Sequence, residues 1–198
     1  MARPKLLILS LGGTITMIPA AEGGITPKLG AAELVASVPP LADVAEITAE
    51  TPFRLPSPSL TPEKLFGVAQ RIIEAFGQGF DAALVVQGTD TIEESAFLLD
   101  LLVPADKPVV ITGAMRGADA PGADGPANLL AAARTAVAPE ARGLGALTVL
   151  NYDIHAARFV QKSHTALPSA FASPMAGAIG AVAEGRPMFF ARVARMPC

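Results

Sequence analysis

Short apolar runs recur along the chain. Each closes on glycine or a polar residue and is followed by a stretch with helical spacing. Lys5–Leu11 is the first and leads into Gly12-Gly13-Thr14. Asp43–Thr51 reads as a second strand. Asp81–Val86 leads into Gln87-Gly88-Thr89-Asp90, Pro108–Thr112 into Gly113-Ala114-Met115-Arg116, and Gly145–Leu150 into Asn151-Tyr152-Asp153. These runs are continuous rather than alternating, as in strands covered on both faces.

Helical segments lie between them. Ala31–Val38 ends before Pro39-Pro40, which cannot continue a helix. Thr61-Pro62-Glu63 combines a hydroxyl cap, a first-turn proline and an acid at the positive end of the helix dipole. The helix it opens runs to about Phe76, with Gly77 as its stop. Thr91-Ile92-Glu93-Glu94 has capping-box spacing and opens a helix to about Leu102, and Pro126–Ala136 forms another. Strands alternating with helices predict an α/β fold: a doubly wound, mostly parallel sheet with helices on both faces. Right-handed crossovers then bring the strand-end loops to one edge, where such folds bind ligands. Glu184-Gly185, between Ala178–Ala183 and Pro187–Phe190, predicts a C-terminal β-hairpin. No repeat or linker interrupts the first 190 residues. One domain is expected over 1–190, with 191–198 a tail or the start of an interdomain linker and no second domain.

Composition narrows the function classes. Of 198 residues, 51% are hydrophobic and 17% charged, which fits a buried core rather than disorder. The net charge of −3 offers no basic face to nucleic acid. The single cysteine, Cys198, cannot form an internal disulfide and is poorly placed for a catalytic thiol. His155 and His164 lack a surrounding set of Cys, Asp and Glu, so neither a metal nor a cofactor is expected. The apolar start after Arg3 and Lys5 is broken by Gly12-Gly13, short of the roughly 7–15 residues of a signal-peptide core, and reads as a buried strand. No run reaches the roughly 18 apolar residues of a membrane helix, and a cytoplasmic location is expected.

Two loops carry candidate chemistry. In Gly12-Gly13-Thr14-Ile15 the glycines permit close backbone approach and set a hydroxyl at the end of the first strand; a plain tight turn reads the same way. In Gly88-Thr89-Asp90-Thr91 a loop opens a helix whose N–H groups favour negative charge, and Asp90 suits a substrate ammonium. Helix capping accounts for Thr91 and Glu94 without requiring Thr89 and Asp90. Neither G-x-G-x-x-G nor a P-loop pattern is present. A threonine nucleophile needs a base or polarising neighbour. Lys162 is the candidate, although an isolated lysine is usually a solvated charge, and His164 reads as a surface residue.

Four stretches in order resemble the N-terminal domain of bacterial-type L-asparaginases and glutaminase-asparaginases: Leu11–Ile15, Gln87–Ser95, Pro108–Arg116 and Asp124–Leu129. The resemblance covers nearly the whole chain. It implies an amidohydrolase that converts L-asparagine, or L-glutamine, to the acid and ammonia through a threonine nucleophile and an acyl-enzyme. Thr14 matches the nucleophile, Thr89 the second catalytic threonine and Lys162 the lysine working with it. Asp90 matches the carboxylate for the substrate α-ammonium, Ser57 the serine for its α-carboxylate, and Ala114 a residue near the side-chain amide. Gly13 and Gly88 belong with the substrate-binding residues, where backbone N–H groups would stabilise the oxyanion. Asp124 and Asn128 fall in a motif read as structural. A homo-oligomer is implied, with a pocket completed by a neighbouring subunit's second domain. A domain of this kind also occurs in a tRNA-linked amidotransferase subunit. The alternative is a non-catalytic amino-acid-binding module of the same fold, and an unrelated nucleotide-binding protein is disfavoured by the missing phosphate loop.

Three features depart from the family pattern. Gly23-Gly24 aligns where members often place a loop tyrosine, and Tyr152, the chain's only tyrosine, lies elsewhere. Pro58 follows Ser57 where many members have a glutamine or another polar residue, so a contact is lost or passes to Ser59. The chain ends near the usual domain boundary, which predicts exposed apolar surface and association.

Overall fold

The computed structural model describes residues 2–19, 25–27, 29–104 and 106–194. In chain order its strands and helices are β1 (Lys5–Ser10), β2 (Met17–Pro19), β3 (Ile25–Pro27), α1 (Ala31–Ala36), α2 (Leu41–Val44), β4 (Glu46–Glu50), α3 (Pro62–Gly77), β5 (Ala82–Val86) and α4 (Ile92–Leu102). They continue with β6 (Val109–Thr112), α5 (Gly125–Val137), β7 (Ala146–Leu150), β8 (Asp153–Ala156), β9 (Gln161–Lys162), β10 (Phe171–Ala172), β11 (Gly180–Ala183) and β12 (Arg186–Phe189). An eight-stranded sheet runs in the order β12-β11-β8-β7-β6-β5-β1-β4. The segment from β4 to β7 is parallel; β8, β11 and β12 join antiparallel.

The continuous apolar runs are buried because both faces of the sheet are covered. Leu6, Ile8, Leu84 and Val110 pack with Leu34 of α1, Leu41 of α2 and Leu129 of α5. Leu7, Leu9, Val85 and Ile111 face the other way, onto Leu65 and Ile72 of α3 and Ala96 and Leu99 of α4. The fold class read from the sequence is the one observed, end hairpin included. Glu184 and Gly185, both at positive φ (49° and 76°), form the hairpin turn.

Four local expectations change. The second strand begins at Glu46 rather than Asp43, because Leu41–Val44 closes a helical turn after Pro39-Pro40, with the Ala45 N–H donating to the Leu41 carbonyl. Gly77 stays inside α3, and the left-handed residue that follows is Gly79, at φ +92°. The Thr91 hydroxyl makes no cap; it donates to the Ser57 carbonyl instead. The loop after β7 is a reversal: Asn151 and Tyr152 adopt positive φ (50° and 67°) and fold β8 back beside β7.

The order β4-β1-β5 positions the site. The chain leaves β1 to one side for β4, then crosses back over β1 to β5. Loops after β1, β4 and β5 therefore meet at a topological switch point, the crevice where open α/β sheets bind ligands. Away from it, large apolar side chains are exposed on α3 (Phe66, Ile73), on α4 (Phe97, Leu101) and on the end hairpin (Met188, Phe190). No helix among the described residues is long and apolar enough to cross a membrane.

Candidate active site

Glycines bring the two threonine loops together. Gly13 has φ +91°, and a Cβ there would lie 2.2 Å from the Gly88 nitrogen and 2.3 Å from its Cα. The loops after β1 and β5 thus touch backbone to backbone, which only a hydrogen side chain allows. A Cβ on Gly88 would meet the Ser57 side chain at 3.0 Å, so the turn after β4 packs onto the same point. Thr14 and Thr89 follow these glycines at the start of single 3₁₀ turns, Thr14–Thr16 and Thr89–Thr91.

Lys162 enters from β9. Its Nζ donates to Thr89 Oγ1 at 2.8 Å and to Asp90 Oδ1 at 2.6 Å. Its side chain is 14% exposed and that of Asp90 67%, so the pair sits at the mouth with the carboxylate open to solvent. The backbone N–H of Lys162 donates to Glu93 Oε2 at 2.5 Å. Ser57 is buried; its Oγ accepts the Asp90 N–H at 3.2 Å, and its carbonyl accepts the Thr91 hydroxyl at 3.1 Å. The Ser57–Ser59 turn is closed by the N–H groups of Ser59 and Leu60, neither of which uses a donor at Pro58. Ser59 is exposed.

Thr14 is half-buried, and its hydroxyl has no hydrogen-bond partner among the described residues; Thr16 closes the turn by donating to the Gly13 carbonyl at 2.7 Å. Ala114 is buried after β6, and its loop is braced from α5. Asp124 accepts the N–H groups of Met115 and Arg116, while Asn128 donates to the Gly113 carbonyl and accepts from the Asn151 N–H. His164 accepts two N–H groups within its own exposed loop. Gly23-Gly24 and Cys198 lie outside the described residues. Among those described, no group of three or more His, Cys, Asp or Glu is placed to hold a metal.

The structure thus joins Thr89, Asp90, Lys162 and Ser57 through hydrogen bonds, and sets Thr14 beside them through Gly13 and Gly88. The profile of asparaginase N-terminal domains matches residues 5–195. The chain belongs to the asparaginase family. Among curated asparaginase relatives it is 44% identical to a probable L-asparaginase of Deinococcus radiodurans over 85% of this chain and 50% of that protein. It is 38% identical to L-asparaginase 2 of Bacillus subtilis, over 91% of this chain and 50% of that one. The crystal structure of a probable cytoplasmic L-asparaginase from Campylobacter jejuni superposes with a TM-score of 0.91 at 34% identity, covering 98% of this chain and 59% of that one. The chain therefore spans about half the length of the curated asparaginases it matches.

Two long-range side-chain contacts escaped the sequence. Glu93 reaches Lys162 from 69 residues away. Buried His155 places Nδ1 2.9 Å from Ser173 Oγ, next to β10. A helical offset of four from Thr89 could have flagged Glu93; no local pattern announces the His155–Ser173 pair.

Proposed function

We propose that this chain is the threonine-bearing domain of an amidohydrolase that releases ammonia from the side-chain amide of L-asparagine. The observation carrying this reading is Lys162 Nζ bonded at once to the Thr89 hydroxyl (2.8 Å) and the Asp90 carboxylate (2.6 Å), at the sheet's switch point.

In this reading the Thr14 hydroxyl, free of partners among the described residues, adds to the amide carbonyl carbon. Its proton passes to the amide nitrogen, the C–N bond breaks, and ammonia leaves a β-aspartyl ester. Water then adds to the ester carbonyl, the bond to the threonine oxygen breaks, and that oxygen regains a proton. Thr89 and Lys162 form the relay that moves these protons, since a lysine bonded to a hydroxyl can both give and return one. Asp90 takes the substrate α-ammonium and Ser57 the α-carboxylate, while Gly13, Gly88 and Ala114 surround the amide. N–H groups at the start of α4, with the helix dipole, favour the developing oxyanion. A homo-oligomer in which a neighbouring subunit completes the pocket, and a cytoplasmic location, belong to the same proposal.

The test is ammonia release from L-asparagine by the protein as expressed from its gene. Thr14→Ala and Thr89→Val should each abolish turnover while leaving the protein folded. Failure of the unaltered protein to turn over either asparagine or glutamine would overturn the reading. Heat of binding to aspartate without any ammonia release would point to an amino-acid-binding module instead.

A further inference from the structure

Lys162 enters the site on a strand of two residues that lies outside the main sheet. Its ribbon is slight: β9 pairs with β10, and the Ser163 N–H donates to the Ala170 carbonyl at 2.7 Å. Yet the end of a long, flexible side chain sits within 2.8 Å of one partner and 2.6 Å of another. Such a side chain keeps one geometry only if its backbone is fixed as well.

Glu93 fixes it. Its Oε2 accepts the Lys162 N–H at 2.5 Å. The capping-box pattern at the start of α4 pairs Thr91 with Glu94 and gives Glu93 no role, whereas the Glu93 carboxylate reaches across to β9. Residue 93 lies four positions after Thr89 and three after Asp90, so all three project from one side of the turn that opens α4. That turn grips Lys162 at both ends: Thr89 and Asp90 hold the ammonium, Glu93 the main chain. The distance from Nζ to Thr89 Oγ1 is then set by the turn that opens α4 as well as by the two-residue ribbon.

We propose that Glu93 is a positioning residue, which registers Lys162 against Thr89 by accepting its backbone N–H. This rests on the amidohydrolase reading for its effect on turnover but not for the tether itself. Hydrogen bonds from N–H to a carboxylate are among the stronger ones in proteins, and displacing a catalytic group by about 1 Å can cost about 100-fold in rate.

The test compares Glu93→Gln, which keeps an oxygen acceptor, with Glu93→Ala, which removes it. In the protein as expressed, Glu93→Ala should lower kcat for ammonia release from asparagine by about 100-fold with little change in KM. Glu93→Gln should recover most of that loss. The Lys162 amide proton resonance should lie downfield in the unaltered protein and in Glu93→Gln, and move upfield in Glu93→Ala. Unaltered kcat and resonance in Glu93→Ala would overturn the proposal. So would equal impairment of both variants, because charge rather than hydrogen-bond acceptance would then matter. Loss of stability without loss of kcat would also overturn it, leaving Glu93 a purely structural contact. If the unaltered protein releases no ammonia, the amidohydrolase reading fails, and the Lys162 resonance alone decides the tether.

Discussion

Gly13→Ala tests whether contact between the two loops builds the site. At φ +91° an alanine is strained whatever the space, at about 1–3 kcal/mol. Its Cβ would also lie 2.2 Å from the Gly88 nitrogen, where ordinary contact begins near 3.4 Å, so the loops must part by about 1.2 Å. Overpacking of that kind adds about 1–3 kcal/mol, giving a total loss of about 2–6 kcal/mol. The same displacement separates Thr14 from Thr89, and a shift of about 1 Å predicts about a 100-fold loss in kcat. Urea unfolding gives the stability change, and ammonia release gives the rate. Gly67→Ala is the matched control: it lies in α3 with nothing within 4 Å of its Cβ, and alanine there should stabilise by about 1 kcal/mol. A Gly13→Ala protein with unaltered midpoint and kcat would refute the close approach.

Two further outcomes follow from buried polar groups. Asp100, on the buried face of α4, pairs with Arg158 at 3.1 Å and accepts the Ala146 N–H at 3.0 Å. Asp100→Ala should cost about 2–4 kcal/mol, and an unchanged urea midpoint would contradict that. His155 is held below its usual value of 6.5 by burial, which outweighs the opposing charge of Asp153. The unfolded chain therefore takes up a proton below pH 6.5 that the folded protein resists. This contribution to stability is complete above pH 6.5 and declines as pH falls toward the lowered folded value. His155→Asn should flatten that decline; an identical slope in both proteins would exclude the effect.

The fold and its motif loops were largely readable from the chain. Continuous apolar runs such as Lys5–Leu11 are dictated by burial on both faces, and Gly12-Gly13 ends a strand wherever that strand lies. Where the reading slipped, a local rule met a competing contact. The Thr91–Glu94 spacing promises a capping box, yet the Thr91 hydroxyl is drawn to Ser57 by the turn packed against it. Asn151-Tyr152 resembles the strand-end loops before it but reverses the chain, because both residues accept a left-handed backbone there. Nothing in sequence spacing brings Lys162 to Thr89, 73 residues away.

The sequence by itself determined which segments are buried strands and which residues stand at their ends, because burial and backbone conformation are local demands on residue type. Tertiary structure alone decided that β1 lies between β4 and β5. It alone brought Gly13 against Gly88 and tied Lys162 at one end to Thr89 and Asp90 and at the other to Glu93. Those arrangements depend on strand order and crossover, which arise from long-range packing of both sheet faces and leave no periodic trace in the chain.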